Sequence, residues 1–158
     1  MNILPIAPCH QGWIGSLLCE RWGSPRIVSR GHIHHADTLP GFIAFEEETP
    51  VGLVTYHLCD SACEIVTLDA LISGRGIGSK LVDAVVEFAQ SNKCSRVWLV
   101  TTNDNTGAIL FYRKVGFEHV ATHIEAITEA RKLKPSIPEI GQNGIPIRDE
   151  IEFEIQLT

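Results

Sequence analysis

Hydrophobic and polar positions alternate with changing period along the 158-residue chain, and the period assigns most of the elements. Trp13, Ile14, Leu17, Leu18 and Trp22 recur at helical spacing and predict a helix over residues 9–22. Residues 23–40, rich in Gly, Pro, Ser and His, predict a loop with a short strand or helical turn. The run Phe42–Phe45 predicts a strand, EEETPVG a turn, and Leu53–Leu58 its antiparallel partner. Residues 64–72 (EIVTLDALI) give a third strand. From Ile77 onward Leu81, Val85, Phe88 and Ala89 make an apolar stripe, with Ser79, Lys80, Asp83, Glu87 and Gln90 opposite it, so an amphipathic helix begins there. Arg96–Thr102 is almost continuously apolar, as a strand covered on both faces would be.

Asn103 or Asp104 can cap a following helix over 105–115, and Gly116 stands where a left-handed helix terminus belongs. Phe117–Ile124 reads as a strand, and ITEARKLK as a short helix stopped by Pro135. Ile147, Ile151, Phe153, Ile155 and Leu157 place a last strand, with Glu150, Glu152, Glu154 and Gln156 on its other face. The order predicts an α/β (α+β) fold: a central mixed, mostly antiparallel sheet flanked by helices, as one domain over residues 1–158.

Composition narrows the class. Hydrophobic residues at 44% and charged residues at 20% are those of a globular chain. No apolar run approaches the roughly 20 residues of a membrane span, and the N-terminus lacks the charged and apolar regions of a signal peptide. Five cysteines without a C-x-x-C pair fit a reducing compartment, so a cytoplasmic location is expected, with no membrane partner. A net charge of −6 argues against nucleic acid as a partner.

The chemistry gathers around three glycines. Gly74, Gly76 and Gly78 lie between a strand and an amphipathic helix, where backbone N–H groups and the helix dipole can face a phosphate. Ser79 offers a hydroxyl, and Arg75 and Lys80 are nearby cations; a turn that merely reverses the chain is the plainer alternative. The P-loop pattern fails, since Ser79 stands where its second glycine is required and Leu81 where it needs Ser or Thr. The dinucleotide fingerprint G-x-G-x-x-G finds its third glycine one residue early, which weakens an oxidoreductase reading.

The run GRGIGSKL, followed by the helix, the apolar strand and NDNTGAILFYRKVGF, resembles the GNAT N-acetyltransferase superfamily over roughly residues 41–125. Gly76 and Gly78 match its pyrophosphate motif Q/R-x-x-G-x-G/A, with Ser73 departing at the first position. Asn105, Ala108, Tyr112, Gly116 and Phe117 match N-x-x-A-x-x-x-Y-x-x-x-G-F. The tail resembles that of a bacterial subgroup of the family.

The resemblance implies acetyl-coenzyme A (acetyl-CoA) as cosubstrate and direct transfer to a small-molecule or peptide amine. It implies no metal, and dimers are common in the family. Leu71 and Ile72 would meet the pantetheine arm through their backbones, with an oxyanion donor near Leu71. Asn105 and Asn103 would contact the same arm, the Q/R contact would be either missing or supplied by Arg75, and Tyr112 would protonate the leaving thiolate. Asp69 or Glu64 is the candidate base for the amine, whose pKa near 10 calls for one; either can equally be a plain strand carboxylate. A non-catalytic CoA-binding sensor remains the alternative function. His32, His34 and His35 could hold a metal or border the acceptor, and Lys132, Lys134, Arg148 and Asp149 could shape an acceptor pocket around the 126–146 insertion.

Overall fold

The computed structural model describes residues Met1–Thr158. Its elements are β1 (Asn2–Pro5), α1 (Gln11–Trp22), β2 (Arg26–Ser29), β3 (His32–His35), β4 (Gly41–Glu46), β5 (Thr49–Cys59) and β6 (Ala62–Ala70). There follow α2 (Ile77–Ser91), β7 (Arg96–Thr102), α3 (Thr106–Lys114), β8 (Glu118–His123), α4 (Ala126–Leu133) and β9 (Glu150–Gln156). This is the expected mixed α/β fold, with mostly antiparallel strands flanked by helices. No helix is long and apolar enough to cross a membrane. Two compact units divide the chain: Met1–Pro25, His35–Val97 and Gln156–Thr158 form one, Arg26–His34 and Trp98–Ile155 the other.

In the first unit the strands neighbour one another in the order β1-β4-β5-β6, all antiparallel. Helix α2 buries the predicted stripe, Ile77, Leu81, Val85 and Ala89, together with Val82, against β4, β5 and β6. Gly52 allows the approach, since a Cβ there would stand 2.5 Å from Ile77 Cγ2. Tyr56 of β5 stacks on Phe88 of α2 with ring centroids 4.7 Å apart. The Glu47–Glu48 turn is tighter than expected, and β5 starts at Thr49. Pro50 is tolerated because it pairs with Phe45 at a β-bulge, where a missing N–H costs least. Strand β1 was not anticipated: four residues, three of them exposed, carry no periodic signal, and the pairing of half-buried Ile3 with Ala44 makes them a strand.

In the second unit β9 lies between β7 and β8. The segment 23–40, expected as a loop with a short strand or helical turn, contains two strands, β2 and β3, paired with each other through the tight Arg30–Gly31 turn. The glutamates of β9 do not line an open face. Glu150 is buried and takes the Arg30 guanidinium at 2.9 Å, and Glu152 takes His123 Nε2 at 2.9 Å. Asn105, rather than Asn103 or Asp104, caps α3 by accepting from Ala108 N, and Gly116 adopts the expected positive φ of 107°.

Candidate active site

In the first unit, β6 ends at Ala70 and the chain turns through Ile72–Arg75 into α2. Gly74 and Gly76 take φ of +76° and +70°, the left-handed region that glycine enters without Cβ strain. The first helical bond runs from Lys80 N to Gly76 O, which leaves the amides of Ile77, Gly78 and Ser79 without an acceptor inside the helix. A Cβ on Gly74 or Gly76 would meet nothing within 4 Å, so there is room beside the loop for an anion. These features fit a phosphate cradle.

Two of the expected contacts have partners within the protein. Arg75, the substitute for the missing Q/R contact, has its guanidinium on Glu46 Oε1 at 2.5 Å. Both partners are partly exposed, a setting in which such pairs contribute little, so a phosphate can compete for the cation. The N–H of Leu71, expected near the oxyanion, donates to Val51 O at 2.8 Å and is spent inside the sheet. The next amide along the turn is that of Ile72.

Asp69 and Glu64 are both buried on β6, at 7% and 5% exposure. Asp69 accepts the indole N–H of Trp22 on both carboxylate oxygens, at 3.0 Å to Oδ2 and 3.3 Å to Oδ1. Burial pushes its pKa up, while the Trp22 hydrogen bond and the Arg21 charge pull the other way. The net rise moves Asp69 toward the range of a working general base. Cys63, beside Glu64, has its thiol pushed up to about 12 by burial, then by Cys94 and Glu64. It stays protonated at neutral pH and is a poor nucleophile.

In the second unit, Tyr112 is half-buried on α3, with ring contacts to Phe111, Phe117 and Phe153 at centroid distances of 5.4, 5.5 and 6.4 Å. The residues just before α3 are tied to the loop preceding β9. Asn103 Oδ1 accepts the amides of Arg148 and Asp149, and its Nδ2 donates to Pro146 O. That side chain clamps the loop through both its amide oxygen and its amide nitrogen. Buried Asp104 accepts Gln142 N at 3.0 Å and Thr102 Oγ1. Asn105 Oδ1 also accepts Gln142 Nε2 at 3.3 Å, so this residue caps the helix and meets the loop at once.

The charged residues expected around the insertion make contacts within the chain. Lys132 pairs with Glu129, Lys134 Nζ donates to Arg26 O, and Asp149 Oδ1 accepts Glu125 N ahead of α4. Arg148 contributes its backbone to Asn103 and Ile127. The His32 and His34 rings lie 4.7 Å apart, and no group of three or more potential metal ligands forms in the chain.

Sequence reasoning missed Trp22, which it read as one more apolar helix position, and Gln142. Both act through partners far away in the chain, 47 residues for Trp22–Asp69 and 38 for Gln142–Asp104, where periodicity carries no signal.

Residues 12–117 match the acetyltransferase (GNAT) family. The chain is 40% identical to the Bacillus subtilis protein YdhI over 97% of its own length and 96% of that protein's. Among solved structures it resembles a GNAT family acetyltransferase from Elizabethkingia anophelis with acetyl-CoA bound, with a TM-score of 0.70 and 20% identity, covering 99% of this chain and 97% of that one. A Bacillus subtilis acetyltransferase in complex with CoA superposes with a TM-score of 0.66 and 21% identity, over 76% of this chain and 78% of that one. On the family match and the full-length relative, this chain belongs to the acetyltransferase (GNAT) family.

Proposed function

We propose that residues 1–158 form an N-acetyltransferase that moves the acetyl group of acetyl-CoA directly onto an amine. The observation that carries this is the start of α2: two positive-φ glycines, three amides without helical acceptors and open space beside them, in a chain of this family. Structural neighbours bound to CoA and acetyl-CoA support the same cosubstrate.

In this reading the amides of Ile77, Gly78 and Ser79 hold the pyrophosphate, with Arg75 drawn from Glu46 to assist. Asp69 takes a proton from the ammonium, and the freed nitrogen attacks the thioester carbon. The Ile72 N–H stabilises the oxyanion, since the Leu71 N–H is committed to Val51. As the oxyanion collapses, the C–S bond breaks and Tyr112 gives its phenolic proton to the departing thiolate, and the surplus proton on the attacking nitrogen is released as the amide forms, returning Tyr112 to its phenol. Asn105 contacts the pantetheine arm. Glu64 is the second carboxylate, available if Asp69 proves dispensable. The protonated state of Cys63 supports direct transfer over an acyl-enzyme at that thiol.

Calorimetric titration with acetyl-CoA tests the reading, with NAD and ATP as controls. Micromolar binding of acetyl-CoA alone is expected, weakened at least tenfold by Gly76→Val. Equal or tighter binding of NAD, or no binding of acetyl-CoA, would remove the proposal. Tyr112→Phe should retain binding and lower turnover; unchanged turnover would dismiss it as the proton donor.

A further inference from the structure

Helix α1 ends at Trp22 because Gly23 turns left-handed at φ +80° and returns its N–H to Cys19 O at 3.1 Å. That terminus sets the indole at a defined place over β6. Trp22 is 38% exposed, yet its one polar hydrogen is directed inward to a carboxylate that is only 7% exposed. A buried indole N–H normally finds a partner, but a large ring left partly in water gains less from burial, so the site favours it for the bond it makes. Because one N–H is shared between Oδ1 and Oδ2, the carboxylate is fixed in rotation and keeps lone pairs free to receive a proton.

We propose that Trp22 is a positioning residue, holding the Asp69 carboxylate in the orientation from which it accepts the proton of the bound amine. This rests on the reading of Asp69 as the general base. Of the residues around Asp69, its cross-strand partner Leu53 on β5 is apolar. Arg21, beside Trp22 on α1, is the charged group that acts on it. Both the hydrogen bond and that charge favour the ionised carboxylate, against the burial that disfavours it. Removing the Trp22 donor therefore loosens the carboxylate and raises its affinity for a proton in the same step.

The test is a pH titration of the Asp69 carboxyl carbon by NMR in 13C-aspartate-labelled protein, with the signal assigned through its loss in Asp69→Asn. In Trp22→Phe, which keeps an aromatic ring but no donor, the Asp69 midpoint should move to higher pH, and by more than in Arg21→Gln. Trp22→His, whose ring can still donate, should bring the midpoint back toward that of the natural protein. A midpoint unmoved in Trp22→Phe overturns the proposal. Failure of the base assignment looks different. If acetyl transfer from acetyl-CoA to butylamine shows the same pH profile in Asp69→Asn as in the natural protein, Asp69 is not the base, whatever Trp22 does to it. If Asp69 is the base, Trp22→Phe should lower kcat by about tenfold, shift the acidic limb of kcat/KM upward with the NMR midpoint, and leave the KM for acetyl-CoA unchanged.

Discussion

Ionised Asp69 is an anion removed from water with one neutral donor to replace its hydration, and that has a consequence for stability. Its pKa in the folded chain lies above the usual 3.8, so the native state binds this proton more tightly than the unfolded state does. By linkage, the contribution of this group to folding is most favourable at low pH and is lost as pH rises from 3.8 through the folded pKa. Asp69→Asn, which can still accept from Trp22, should therefore melt at a higher temperature than the natural protein at neutral pH. The difference should shrink toward zero as the pH falls below 4, and a thermal-melt series across pH would show it. On the proposed reading Asp69 trades stability for chemistry, as residues of working sites commonly do. Thiol reactivity gives a second check at this scale. Cys9, Cys19 and Cys59 are exposed, while Cys63 and Cys94 are buried. An aromatic disulfide reagent should titrate three thiols quickly in the folded protein and all five in urea. Rapid reaction at Cys63 would contradict the raised pKa and the burial together.

Among the elements, α2 matters most to the proposed site, because its docking on the strands fixes where the glycine loop presents its amides. Gly52→Ala would push a methyl to 2.5 Å from Ile77 Cγ2 and 3.0 Å from Leu81 Cδ1, both on fully buried side chains. The helix must shift to relieve this, at a cost of about 1–3 kcal/mol in urea unfolding. Acetyl-CoA affinity should fall with it; a destabilised variant with unchanged affinity would separate the docking of α2 from the cradle. This helix was legible in the sequence because its apolar stripe repeats over fifteen residues and its N-terminus is marked by glycines. Strand β7 was read to its exact bounds by its continuous apolar run. Strands β1, β2 and β3 were not, since four-residue strands with exposed or mixed burial gain their stability from pairing partners and carry too short a pattern. The cap of α3 was misplaced by one or two residues because Asn103, Asp104 and Asn105 are all capable caps. Only the distant 141–149 loop decides among them, by occupying the first two.

Across the whole chain the two units are interleaved in sequence, with crossings after Pro25, His34, Val97 and Ile155, so neither unit is a contiguous segment. That explains which parts of the site could be read in advance. The glycines and the Asn105–Tyr112 spacing are local patterns, whereas the donor on Asp69 and the clamp on Asn103 depend on where remote segments arrive. The second unit tests this dependence directly, because the short Arg26–His34 segment makes a charged contact with strand β9 across 120 residues. Arg30 gives Glu150 both its guanidinium at 2.9 Å and its backbone N–H at 3.2 Å, and the Glu150 side chain is 4% exposed. Arg30→Met leaves that carboxylate in place with the backbone donor alone, and should cost about 1–3 kcal/mol in urea unfolding. Replacing the anion as well removes the unpaired charge, so Arg30→Met with Glu150→Gln should recover most of the loss. A double variant no more stable than the single would mean that the loss does not come from an unpaired Glu150 charge. Recovery would make this ion pair the contact by which a segment early in the chain is held to the last strand.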